Sequence, residues 1–187
     1  MTFIVRPVSW SDDHEHLMAL RTRIFMEEQG VSMALEVDGM DELPDTEHFL
    51  GFIGDTPIAT GRLLGDGQIG RICVDQNHRR QGHATALLRH ITRHALTKPH
   101  CPDLWLHAQM SALDLYVKCG FQPHGDRFME ADIEHQAMHF NPGDQASLEA
   151  LFGNDVIRLQ HAADFAHHLA LMCRAARRQV IVLSQTL

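Results

Sequence analysis

Ile72 to Leu88 reads ICVDQNHRRQGHATALL, an apolar strand-like end, a polar turn and an apolar helical start in seventeen residues. The turn holds Arg79, Arg80 and Gly82, although Gly is a poor helix former. A helix N-terminus has several backbone N–H groups without intrahelical partners and about half a unit of positive charge. Phosphates bind there for that reason. A glycine at position 82 lets the backbone approach an anion, Ala84 keeps the next amide open, and both arginines add charge-assisted donors. The pattern therefore reads as a pyrophosphate cradle. It has neither the GxxxxGK[ST] of a P-loop nor the GxGxxG of a dinucleotide fold. Taken by itself, RxxGxA fits an ordinary helix start equally well.

Working outward, FIVRPV (Phe3 to Val8) is rich in β-branched residues and predicts a first strand. Ser11 is placed to cap a helix with Asp12 and Asp13 in its first turn, and Leu17, Leu20, Ile24 and Phe25 give it an apolar stripe. An acidic, irregular stretch follows, with room for a short second helix. His48 to Ile53, Ile58 to Leu64 and Gln68 to Val74 predict a meander turning at GDTP and GDG. A helix is expected from Gly82 to about Leu96, a strand from Leu104 to Ala108, and a helix from about Ser111 to Cys119 stopped by Gly120. Phe121 to Glu130 and His135 to Phe140 close the pattern. The order β-α-β-β-β-α-β-α-β-β predicts an α/β (α+β) domain over residues 1–140, with helices on the faces of a mixed, mostly antiparallel sheet. Residues 141–187 differ in character, with two amphipathic helical stretches and then QVIVLSQTL. That terminal strand without a later partner suggests the start of a second domain in a longer protein. It could equally add to the sheet or pair with a second copy, so a homodimer stays open.

The totals narrow the function. A length of 187 residues with 44% apolar composition supports one full domain. No stretch approaches the roughly 20 apolar residues that cross a bilayer, so no membrane partner is expected. MTFIVRPVSW has no basic segment before an apolar core, and Cys73, Cys101, Cys119 and Cys173 form no CxxC pair. Reduced thiols and a cytoplasmic location are the expectation. A net charge of -8 argues against nucleic acid. The charge is uneven: Glu27 to Glu47 contains no Lys or Arg, whereas Arg71, Arg79, Arg80, Arg89 and Arg93 gather around the cradle. Among fifteen histidines, His90 and His94 lie one helical turn apart, but no HExxH or Cys partner accompanies them. No metal site is expected, and the two read as a solvated helix face.

The run Ile72–Leu88 resembles motif A of the GNAT superfamily of N-acetyltransferases, in which [QR]xxGx[GA] holds the pyrophosphate of acetyl-coenzyme A. Arg79, Gly82 and Ala84 stand at its fixed positions, with Val74 five before the arginine. More narrowly, RTRIFMEEQ, LEVDGMDE followed by DTEH, Ala108-Gln109, YVKCGF and ExxIxH (Glu130 to His135) resemble the ElaA-like subgroup. The last block departs where Asp132 and Glu134 replace an expected glycine and proline.

The resemblance implies a GNAT-like fold with a splayed central strand pair and acetyl-coenzyme A in the gap. Backbone groups of Ile72 and Val74 would pair with the pantetheine, with Cys73 beside them in the coenzyme site, the Val74 N–H would support the oxyanion, and Arg79, Arg80, Gln81, Gly82, His83 and Ala84 would take the phosphates. Tyr116 is the implied general acid, with a core aromatic as the plainer reading. For the base, Glu28 comes first, with Glu36, Asp38 and His48 in reserve. Glu36, Asp38 and His48, with Gln109, are also the candidate acceptor contacts, and the acidic segment suits a cationic amine. His107, on an apolar strand, reads as a core histidine. Direct transfer to a small-molecule or lysine amine is the expected reaction. A non-catalytic acyl-coenzyme A sensing or interaction module is the alternative.

Overall fold

The computed structural model describes residues 2–98 and 103–152. Strands β1 (Phe3–Val8), β2 (Glu47–Ile53), β3 (Thr56–Leu63) and β4 (Ile69–Val74) form one antiparallel sheet in that order. Strands β5 (Leu104–Gln109), β6 (Phe121–Glu130) and β7 (Ile133–Phe140) form a second, ordered β5-β7-β6. Helices α1 (Trp10–Arg21), α2 (Met33–Glu36), α3 (His83–Thr97), α4 (Leu113–Val117) and α5 (Gln145–Phe152) complete the fold. The sheets touch at a parallel bridge between Gln68 and Trp105, where the Trp105 N–H donates to the Gly67 carbonyl at 3.2 Å. Beyond it β4 and β5 diverge. The mixed α/β architecture, antiparallel sheets with packed helices, is as expected.

Side-chain periodicity sets what each face buries. Along β5, Leu104, Leu106 and Ala108 are buried, while Trp105, His107 and Gln109 face the other way. Helix α3 buries Leu87, Leu88, Ile91, Thr92, Ala95 and Leu96, an apolar stripe at helical spacing. These residues share a core with Phe49, Ile58, Leu63, Phe121, Met138 and Phe140. Each leucine, isoleucine, phenylalanine or methionine among them contributes about 1.5 to 3 kcal/mol when fully buried. On the opposite face, Leu17, Leu20 and Ile24 pack on Leu50 and Cys73.

Two local distortions shape the gap. Thr60 pairs with Cys73 but Arg62 pairs with Gly70, so Arg71 and Ile72 together oppose Gly61. This is a β-bulge, and Arg71 takes φ +53° within it. At the end of α1 the expected regular helix widens into a π-helical segment, Thr22–Glu28. Such segments let one extra residue bulge from the cylinder.

Other expectations shift. The first helix opens at Trp10 with Ser9 as N-cap, and the Ser9 and Ser11 hydroxyls bond each other at 2.6 Å instead of capping. The helix expected from Ser111 becomes a 3-10 turn, Met110–Ala112, followed by the short α4. His90 and His94 are half-buried, with their rings edge-on to Phe49. The packed unit also runs past residue 140. Leu151 of α5 sits in the main core, and Arg89 and Arg93 of α3 donate to the Ala150 and Leu151 carbonyls at 2.8 Å. Gly120, at φ +90°, lies so close that a Cβ would meet the Ser147 carbonyl oxygen at 2.3 Å. The remainder of the expected extension, residues 153–187, lies outside the described residues, as do Cys101 and Cys173.

Candidate active site

A cavity of about 590 Å³ fills the gap between β4 and β5. Ile72, Cys73 and Val74 line one side, and His107 and Gln109 line the other. Arg79, Ala84 and Tyr116 border it, the π-turn and its C-cap supply Ile24, Phe25 and Gln29, and the β6–β7 hairpin supplies Glu130, Ala131, Ile133 and His135. Antiparallel pairing orients β4 within it. The Asp75 N–H donates to Ile58 of β3 at 2.8 Å, so the preceding Val74 backbone faces away from β3, toward the gap. Its carbonyl is taken by Arg79 Nε at 2.9 Å. The Val74 N–H is thus the part of that peptide left for a ligand.

The start of α3 fits an anion. Gly82 is the N-cap at φ +84°, a left-handed conformation natural to glycine, and an added Cβ would meet nothing within 4 Å. The glycine is therefore required for the backbone turn, and the space beside it is open. Gly82 itself makes no side-chain cap to this first turn. Arg80 is also left-handed, at φ +60°, and the His83 ring packs on Phe3 at 4.4 Å between centroids. Arg80, Gln81 and Gly82 form an exposed turn and His83 a half-buried helix start, and none of them is on the cavity wall.

The acidic segment is not the free anionic surface expected of it. Buried Arg21, only 1% exposed, pairs with Glu36 and holds both Asp41 oxygens at 3.0 Å. Arg62 binds Asp38 at 2.6 Å and Asp41 at 2.9 Å. Arg71, turned by the bulge, reaches Glu36 at 3.2 Å, Asp38 at 3.0 Å and the carbonyls of Leu35 and Glu36. Burial raises the Asp38 and Asp41 carboxyls, but the arginine contacts outweigh it and hold both well below the usual range. Glu36 and Asp38 do line the cavity, already paired. His48 does not; its Nε2 lies 3.0 Å from the Asp41 carbonyl, and burial lowers its pKa. The sequence hid this network because the arginines lie 15 to 35 residues from their partners.

Glu28, expected as the base, is not on the cavity wall; its carboxylate accepts from Arg79 Nη2 at 2.6 Å. Tyr116 is on the wall, and its hydroxyl has no protein partner among the described residues. Burial pushes its pKa up to about 12, so it stays protonated at neutral pH. Burial likewise drives the Cys73 thiol far above its ordinary value, which leaves it a neutral wall group. Gln109 donates to Gln29 of the π-turn at 2.9 Å, joining the two walls. His107 is no core histidine: it lines the cavity, and its Nδ1 lies 2.8 Å from Glu130. The period-2 pattern of β5 was the available signal, since it puts His107 and Gln109 on one face. No cluster of three metal-ligating side chains occurs among the described residues.

The model of the GNAT acetyltransferase domain matches residues 25–141. The Bacillus subtilis protein YyaT is 32% identical over 139 residues, covering 72% of this chain and 93% of its own. The crystal structure of an acyl-CoA N-acyltransferase from Pseudomonas aeruginosa is 27% identical with a TM-score of 0.67, over 74% of this chain and 99% of that one. Escherichia coli ElaA is 25% identical at the same TM-score of 0.67, over 73% and 99%. Sequence, fold and the gap beside α3 agree: this chain belongs to the GNAT acetyltransferase family and is an N-acyltransferase.

Proposed function

We propose that the protein moves an acetyl group from acetyl-coenzyme A to a primary amine by direct transfer. One observation carries this reading: a single cavity between β4 and β5 is lined by Arg79 and Ala84, which flank Gly82 at the start of α3, and by Tyr116, whose hydroxyl has no protein partner among the described residues. Arg79, Arg80, Gln81, Gly82, His83 and Ala84 are the residues for the diphosphate, through main-chain amides and guanidinium groups. Ile72, Cys73 and Val74 border the pantetheine path. The Val74 N–H, with its carbonyl held by Arg79, is the donor for the developing oxyanion. Tyr116 presents an O–H to the leaving sulfur.

Because Glu36 and Asp38 are spent on arginines, the cavity offers no run of free carboxylates for a polycation. Glu130 is the wall carboxylate without an arginine partner among the described residues. An acceptor carrying one ammonium group, as a small amine or a lysine side chain, suits that balance. Thiol release from acetyl-coenzyme A with benzylamine, spermidine and an α-blocked lysine tests this reading. Release with a monoamine or the lysine, at least equal to that with spermidine, is expected. Coenzyme binding without release from any amine would instead indicate a sensing module.

A further inference from the structure

We infer that His107, held by Glu130, is the base that takes the acceptor's proton; this deepens the acetyl-transfer reading and rests on it. Strand register puts the parts on one face. Gln109 pairs directly with His135, His107 with Ala137, Phe128 with His135 and Glu130 with Ile133. Opposed residues in antiparallel strands share a face. Leu104, Leu106 and Ala108 occupy the other face and are buried in the core, so His107 and Glu130 belong to the cavity side.

The hydrogen bonds then fix what His107 can do. A carboxylate only accepts, so the contact of 2.8 Å between His107 Nδ1 and Glu130 Oε2 places a proton on Nδ1. In the neutral ring, Nε2 keeps its lone pair, and no protein group bonds it among the described residues. Phe128, edge-on at 4.6 Å, and Trp105, at 5.3 Å, hold the ring from its sides. Glu130 also stabilises the imidazolium formed when a proton arrives. His135 is the competing imidazole. Its Nδ1 bonds the Ile133 carbonyl at 2.8 Å, a neutral partner that supports a cation less well, and the residue is 8% exposed. The other charged or titratable groups around the cavity are Arg62, Arg71, Arg79, Glu36 and Asp38, which are ion-paired, and the neutral Tyr116 and Cys73.

The step balances without another reactant. The ammonium gives one proton to solvent as the free amine forms. Its nitrogen lone pair makes the C–N bond while His107 Nε2 takes a second proton. The C–S pair leaves on sulfur, which receives the Tyr116 proton. The imidazolium proton returns to Tyr116 through solvent. His107 is thus a catalytic residue and Glu130 a positioning residue.

The test is the pH dependence of kcat/KM, referred to the concentration of free (unprotonated) amine, with acetyl-coenzyme A and the best amine of that panel, for wild type, His107→Gln, Glu130→Gln and His135→Gln. Coenzyme A affinity and thermal midpoint are measured alongside. The wild type should show an acidic limb. His107→Gln should lose the limb and slow by on the order of 10² to 10⁴-fold, with coenzyme A affinity and midpoint retained. Glu130→Gln should keep an acidic limb and lower kcat with the KM for the amine retained. A limb that survives in His107→Gln, or vanishes only in His135→Gln, overturns the assignment while leaving acetyl transfer standing. Failure of the wild type to turn over any amine removes both.

Discussion

At the residue scale, Tyr116 and Cys73 illustrate how one cause has different consequences. Burial pushes both acids up. For a thiol that removes the nucleophile, whereas for a phenol that must donate a proton it preserves the active form. Tyr116→Phe should lower kcat by on the order of 10² or more and leave coenzyme A affinity unchanged, checked by steady-state kinetics and calorimetry. Because burial pushes the phenol up to about 12, no loss of turnover from its ionisation is expected between neutral pH and about pH 10. His107 was legible only in part. Its face followed from strand alternation, but its partner Glu130 comes from another strand 23 residues on, which periodicity cannot supply.

At the scale of elements, the arginine network locks α2 and the α2–β2 connection onto α1, β3 and β4. Arg21, Arg62 and Arg71 come from three elements, and Glu36, Asp38 and Asp41 from a fourth stretch. Breaking a buried pair leaves an unmatched charge, at a cost of about 3 to 5 kcal/mol. The sign with pH follows from the depressed carboxyls. Their stabilisation is complete above the unfolded carboxylate pKa, about 3.9, and is lost as pH falls through the lower folded values. Thermal melts of wild type should therefore fall more steeply below about pH 4 than those of Asp41→Asn, which starts lower. Parallel pH curves would contradict this account. The β4 bulge and the π-turn left no mark in the apolar pattern, because each inserts a residue without changing which residues are apolar.

At the scale of the molecule, the sequence of strands and helices was readable because each element buries an alternating or helical stripe. Its limits came from long-range packing. The turn at Asn141–Asp144 reads as a boundary, yet α5 continues the core because Leu151 and the carbonyls above it meet α3. The acidic stretch reads as a solvated, substrate-facing surface, yet folding brings arginines to it. What local sequence did carry was the helix start, since its demand for a left-handed, side-chain-free turn is met by Gly82 itself. The most direct measurement is calorimetric titration of the whole chain and of Gly82→Val with coenzyme A. The account predicts saturable binding to wild type and at least tenfold weaker binding to the variant, because a β-branched residue resists φ +84° by about 1 to 2 kcal/mol and crowds the phosphates. Absence of binding to the wild type, or equal affinity in the two proteins, would contradict it.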